Sequence, residues 1–362
     1  MVSDSARTVI KPAKLILESG EIFSGSVPNW QSDTVFGEAV FNTGMVGYVE
    51  AATDPSYTGQ LLNFTYPLIG NYGVPGVDYW ESDRARAAAI IVSEAAHFYA
   101  HHQAGHALLS WCQAQKLPIM MDVDTRALAK TLSHKGVTPA AISCDGQIPK
   151  QFIDINSEHL VQQVSIKAPV EYGTGNKKII VIDCGIKNNI LRCLQRLPVT
   201  IKQVPFDYDF TGEDYDAVFI SNGPGDPQKC VETIAIIKKV FAQDKPVFGI
   251  CLGAQLTALA IGAKTYKLPF GHRAQNHPCL LEGTDQCFLT SQNHGYCIEE
   301  KSLPNDWRVM FRHLNDHTVQ GVAHKTKPFF AVQFHPEAAP GPVDTAWLFD
   351  KFYQMIVADD ER

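Results

Sequence analysis

The residues best suited to nucleophilic chemistry lie around one cysteine. In the stretch VFGICLGAQLTALAIGA, a short apolar run leads into Gly249-Ile250-Cys251-Leu252-Gly253, and an Ala/Leu-rich helical pattern follows to Gly262. Cys251 therefore falls on a strand-to-helix turn. Glycines two before and two after it relieve the crowding of a sharp, strained corner, the physics of the G-x-S-x-G elbow with sulfur as the nucleophile. The helix that starts at once would turn its unpaired N–H groups and positive dipole end toward the sulfur and stabilise negative charge there. A lone cysteine is otherwise most often a small buried hydrophobe, and it is the flanking glycines at a β–α corner that single this one out.

A sulfur nucleophile needs a base. Near the end of the chain PFFAVQFHPEAAPGP reads as a strand that terminates in His335-Pro336-Glu337. Proline biases His335 toward an extended backbone, and residues two apart in an extended chain project to the same side, so Glu337 is expected to reach the imidazole. That pairing would set the tautomer and leave the other nitrogen to act as general base and acid. A third element, SNGPGDP (Ser221–Pro227), follows the apolar run DAVFI. Its two glycines leave backbone N–H groups unobstructed, and the N–H groups of Gly223 and Leu252 are the candidate oxyanion donors.

The elements that must carry these residues alternate. From Lys178 the chain reads KIIVIDCG, NNILRCLQRL, VTIKQV, DAVFISNGPGDP, CVETIAIIKKVFAQ and PVFGI, continuously apolar strands separated by helical patterns. That rhythm predicts an α/β domain, a mostly parallel sheet flanked by helices, with its chemistry at the carboxyl ends of the strands. The first half opens instead with short strand-like runs punctuated by glycine and turns helical only over 96–115, a mixed α+β pattern. The Gly/Pro/Lys-rich text SIKAPVEYGTGNKK reads as a linker, giving expected domains at 1–168 and 178–362. Such a length is too great for one ordinary core.

Composition excludes other classes. The formal charge of -7 argues against nucleic acid as a partner. No run of about 18 apolar residues occurs, and MVSDSARTVIKPAK lacks the apolar stretch of a signal peptide, so no membrane role and a cytoplasmic location are expected. Nine cysteines without any C-x-x-C pair fit reduced thiols better than a disulfide framework. His97, His101, His102 and His106 have i,i+4 spacing, but nothing completes a metal site there, and a solvated helix face is the expected reading. The IGAKT segment lacks the spacing of a phosphate loop.

Together, GICLGAQ, SNGPGDP and HPEA resemble the Triad class I glutamine amidotransferase domain, in the same order along the chain. FNTGMVGYVE, TDPSYTGQ, TYPLIGNYG and DVDTRAL in the first half, with DCGIKNNILRCL and TSQNHGY in the second, resemble the small subunit of carbamoyl-phosphate synthetase, so that the likeness runs nearly end to end. The resemblance implies a glutaminase chain in a heterodimer, passing ammonia to a large ATP-using subunit. ATP, Mg and bicarbonate would belong to that subunit, with no metal and no cofactor on this chain. It further implies Cys251, His335 and Glu337 as catalytic residues, and a pocket for L-glutamine lined by Ser56, Gly223, Gly225, Leu252, Gln255, Asn293, Gly295 and Tyr296. Whether the product feeds arginine or pyrimidine synthesis stays open.

Ala254, Ala274, Gln275 and Val46 depart from the family's usual residues without touching the Cys, His or Glu. A glutaminase serving anthranilate or guanylate synthesis would not need the first domain. A non-catalytic regulatory subunit would not need the intact Cys, His and Glu.

Overall fold

The computed structural model describes residues 2–3 and 9–359, and part of the segment on which the absence of a signal peptide was judged lies outside them. The chain divides into two compact units, Met1–Glu158 and His159–Arg362, ten residues before the expected first boundary.

The first unit is built on a seven-stranded mixed sheet in the order Ile119–Met120, Ala89–Ile91, Gln60–Phe64, Val35–Asn42, Thr138–Ser143, Ile10–Leu17, Ile22–Pro28. The first four are mutually parallel and the rest antiparallel. Side chains alternate across the sheet, so Val40, Leu62 and Ile90 pack on one face with Trp111, while Ala39, Leu61 and Ile91 pack on the other with Leu128 and Leu132 of the helix Thr125–Lys135. The helix expected over 96–115 forms only as Leu108–Gln115. Before it the chain makes short strands, Phe98–Tyr99 and Ala104–His106, which pair with Val2–Ser3 and Val74–Pro75. The segment HHQAGH offers no apolar stripe to bury a helix against, so its histidines sit in turns and on a strand rather than along one helical face.

The second unit is a ten-stranded sheet. Five central strands are parallel, in the order Val199–Pro205, Lys177–Asp183, Ala217–Ile220, Val247–Ile250, Phe329–Val332. They are continuously apolar because both faces are covered. Ile180 and Ile182 face the helices Val231–Phe241 and Leu252–Ala260, while Ile179 and Val181 face Asn188–Gln195 and Trp347–Asp359. The sheet continues antiparallel through Val319–His324, Trp307–His313, Thr265–Leu281 and Cys287–Ile298. At the opposite edge, Val170–Tyr172 adds antiparallel to Val199–Pro205. The expected linker is thus partly an edge strand, held because Tyr172 packs on the core and its hydroxyl donates to Gln203 at 3.0 Å. Among the described residues, no helix is long and apolar enough to cross a membrane.

Candidate active site

Cys251 joins the strand Val247–Ile250 to the helix Leu252–Ala260 with a φ of 54°, the strained left-handed conformation of a nucleophile elbow. The glycines around it are required by contact. A Cβ on Gly253 would lie 2.2 Å from the carbonyl oxygen of Ile220, and one on Gly249 would lie 2.8 Å from the Gly253 backbone. The corner can only be this tight without those side chains. The Cys251 thiol is 2% exposed and points between two polar groups: Sγ lies 3.6 Å from the Asn293 carbonyl, and the Gln333 amide donates toward it from 3.8 Å.

Beside it, His335 is placed by the strand Phe329–Val332 and by its own N–H, which donates to the Ser291 carbonyl at 2.9 Å. The strand stops at Val332, and Pro336 and Glu337 lie in a turn rather than in the extended backbone expected from the proline. The Ala338 N–H closes that turn on the His335 carbonyl at 3.2 Å. The side-chain pairing forms nevertheless: His335 Nδ1 donates to Glu337 Oε1 at 2.7 Å. The other nitrogen, Nε2, is buried and makes no hydrogen bond of acceptable geometry. Burial alone would lower the imidazole pKa, but the charges of Glu337 and Cys251 outweigh it and raise it above the ordinary histidine range.

One residue escaped the sequence reading. Lys187 is 4% exposed, and its Nζ donates to Glu337 Oε1 at 2.9 Å and to the Ala338 carbonyl at 2.8 Å. Burial raises the Glu337 carboxyl pKa, but Lys187 first and His335 second pull it well below the usual carboxylate range. Lys187 caps the amino end of the helix Asn188–Gln195. A cation is unfavourable at that positive dipole end. Its position in DCGIKNN was the available signal, because such a lysine needs a carboxylate partner. Asn189 holds the same turn by donating to the Glu337 carbonyl at 2.6 Å.

The turn Ser221–Pro227 lies against these residues. Asn222 Oδ1 accepts the Lys187 N–H at 3.0 Å, and Ser221 Oγ accepts the Cys184 N–H at 2.9 Å. A Cβ on Gly223 would meet the Cys184 carbonyl oxygen at 2.1 Å, and Gly225 adopts a φ of +87°, so neither position accepts another residue without strain. Leu252 is the first residue of its helix, which leaves its N–H outside the helical ladder.

Asn293, Gly295 and Tyr296 lie on the strand Cys287–Ile298, and Gln255 binds that strand from the helix. The Gln255 amide donates to the Tyr296 carbonyl at 2.9 Å and to Gln333 Oε1 at 3.2 Å. Ser56 belongs to the first unit, in the short 3-10 turn Pro55–Tyr57, where its N–H is capped by Asp54 Oδ1 at 2.8 Å. Of the departures, Ala254 and Ala274 are buried and Gln275 is half-buried.

Comparison with known proteins matches residues 15–142 to the family described as carbamoyl-phosphate synthase small chain, CPSase domain, and residues 180–355 to glutamine amidotransferase class-I. The carbamoyl phosphate synthase arginine-specific small chain of Aspergillus oryzae is 43% identical, over 97% of this chain and 82% of that one. The multifunctional protein CAD of Squalus acanthias is 46% identical over 94% of this chain. The multifunctional protein pyr1-3 of Dictyostelium discoideum is 44% identical over 97%. The chain spans only 16% and 17% of those two multifunctional proteins.

Proposed function

The chain belongs to the carbamoyl-phosphate synthase small chain family, with a class-I glutamine amidotransferase domain, and on that premise we propose that it hydrolyses L-glutamine and supplies the ammonia for carbamoyl phosphate formation. The observation that carries this reading is the buried, unpaired Nε2 of His335 on a ring whose Nδ1 is locked to Glu337. A base held in this way has one nitrogen left for proton transfer and one orientation in which to use it.

In the proposed reaction Cys251 has passed its proton to His335 Nε2, and the thiolate sulfur attacks the side-chain carbonyl carbon of glutamine. The tetrahedral oxyanion faces the N–H groups of Gly223 and Leu252. His335 then gives its proton to the departing nitrogen, the C–N bond breaks, and ammonia leaves behind a γ-glutamyl thioester. Water, deprotonated by His335, cleaves the thioester to glutamate and restores the thiol. Glu337, itself fixed by Lys187, orients the imidazole in each step. Gln255, Asn293, Gly295 and Tyr296, with Gly223, Gly225 and Leu252, are the proposed glutamine-binding groups.

We extend the reading to a partner, a large ATP-using synthetase subunit that would hold ATP, Mg and bicarbonate. The small-chain family match and the separate small chain in Aspergillus oryzae support it. A reducing, cytoplasmic setting is proposed with it, in keeping with nine free cysteines. The test is the Cys251→Ser variant assayed with the large subunit. Glutamine-dependent synthesis should fall by at least about 10³-fold while ammonia-dependent synthesis persists, because serine is a far weaker nucleophile at this corner. A serine variant that still hydrolyses glutamine near the parent rate would remove the nucleophile assignment.

A further inference from the structure

The antiparallel part of the second unit carries another group of titratable side chains. His272 and His277 lie on Thr265–Leu281, His313 ends the strand Trp307–His313, and Asp316 lies in the turn that follows it. We propose that His272, His313 and Asp316 form a binding site for one divalent transition-metal ion of the zinc class, with His277 supporting His313 from behind.

The three donors lie within 4.8 Å of one another. Both rings face the same carboxylate, His272 Nε2 at 2.7 Å from Oδ2 and His313 Nδ1 at 3.3 Å from Oδ1. Ligand atoms in a tetrahedral zinc site stand roughly 3.4 Å apart, given bonds of about 2.1 Å. The two imidazoles stack with centroids 4.5 Å apart and planes 21° from parallel. Each ring would swing out of that stack to aim its nitrogen at one ion, leaving a fourth position for water.

The hydrogen bonding at His313 fixes its tautomer. The Asn315 N–H donates to His313 Nδ1 at 3.2 Å, so this nitrogen carries the lone pair. Its Nε2–H then donates to His277 Nδ1 at 3.0 Å, and the remaining proton of His277 falls on Nε2, which is buried with no hydrogen-bond partner among the described residues. An ion would have to replace the Asn315 N–H at that lone pair, beside an Asp316 Oδ1 that accepts from the Thr318 N–H at 3.1 Å and the Thr318 hydroxyl at 2.8 Å. Each candidate ligand ring is also held at its far nitrogen, His272 by Gln292 Oε1 at 2.9 Å and His313 by His277. Metal-binding histidines are typically oriented in this way. An ion here would tie the strand Trp307–His313 to the hairpin that carries Asn293.

The experiment uses the full chain with Cys251→Ser, so that the active-site thiol cannot compete, stripped with chelator and titrated with Zn²⁺ by calorimetry and with Co²⁺ by visible absorption. The expected result is one ion per chain, with a cobalt spectrum that lacks a thiolate charge-transfer band. Affinity should drop at least about tenfold in Asp316→Asn and in His313→Gln. Asp316 is exposed, so its variant should fold even if the histidine variant does not, and circular dichroism of the metal-free chains checks this. No stoichiometric binding, affinity unchanged in the Asp316→Asn variant, or a thiolate band would overturn the assignment.

Discussion

The two halves of the second unit contribute to the candidate site in different ways. The parallel strands deliver side chains at their carboxyl ends: Lys187 follows Lys177–Asp183, the Gly223 turn follows Ala217–Ile220, Cys251 follows Val247–Ile250, and His335 and Glu337 follow Phe329–Val332. The antiparallel hairpin delivers main chain, with the Asn293 carbonyl near Sγ and the Tyr296 carbonyl bound to Gln255. The difference teaches a division of labour. Groups that move protons or form bonds should sit on the parallel half, and groups that shape the pocket should sit on or against the hairpin. Substitutions on the first should then act mainly on kcat, and those on the second mainly on KM.

The sharpest break in that comparison would come from the base. His335→Asn should lower kcat by about 10³-fold or more with little change in KM, and Glu337→Gln should be milder by about a factor of ten, because the orienting acid usually matters least in a triad. Steady-state glutaminase assays decide it, and equal, complete losses would contradict an orienting role for Glu337.

Lys187→Met should come next. Breaking a buried ion pair from one side costs about 3 kcal/mol, so the thermal midpoint should fall as well as kcat. The pH dependence follows from the lowered Glu337 pKa. A carboxylate depressed in the folded state stabilises the fold above its unfolded value of about 4.3, and that contribution is lost as pH falls through the lower folded value. Without Lys187 the folded value rises, and acid unfolding should begin at higher pH. An unshifted acid midpoint would mean that Lys187 does not hold the carboxylate.

The smallest effect tests the hairpin. Gln255→Ala removes the hydrogen bonds to Tyr296 and Gln333 and should raise the glutamine KM by about tenfold, with kcat changed less than threefold, as expected for the loss of about one polar anchor. A kcat-only effect would blur the division between the two halves.

Legibility in the sequence followed the same divide. The parallel strands could be read because burial on both faces makes them continuously apolar, as in KIIVID and PVFGI, and Cys251 could be read because only glycine fits beside it. The hairpin was not read as strands. Its buried positions include His272, Arg273, Gln292 and His294, and a search for apolar alternation passes over a strand whose inward residues are polar. Lys187 was hidden for a related reason, since its partner Glu337 is 150 residues away and only the fold brings the two together. The His335–Glu337 pairing was foreseen from an extended geometry, and His335 does bridge to Ser291 in extended form, but Pro336 and Glu337 turn after it.

The central claim is that Cys251 carries the acyl group of glutamine. It is tested most directly by quenching the enzyme during turnover with glutamine and mapping the adduct by mass spectrometry. The account predicts a γ-glutamyl thioester on the peptide containing Cys251, longer-lived when deacylation is slowed and absent in Cys251→Ser. An adduct on any other cysteine, or none under conditions where glutamate is released in a burst, would contradict it.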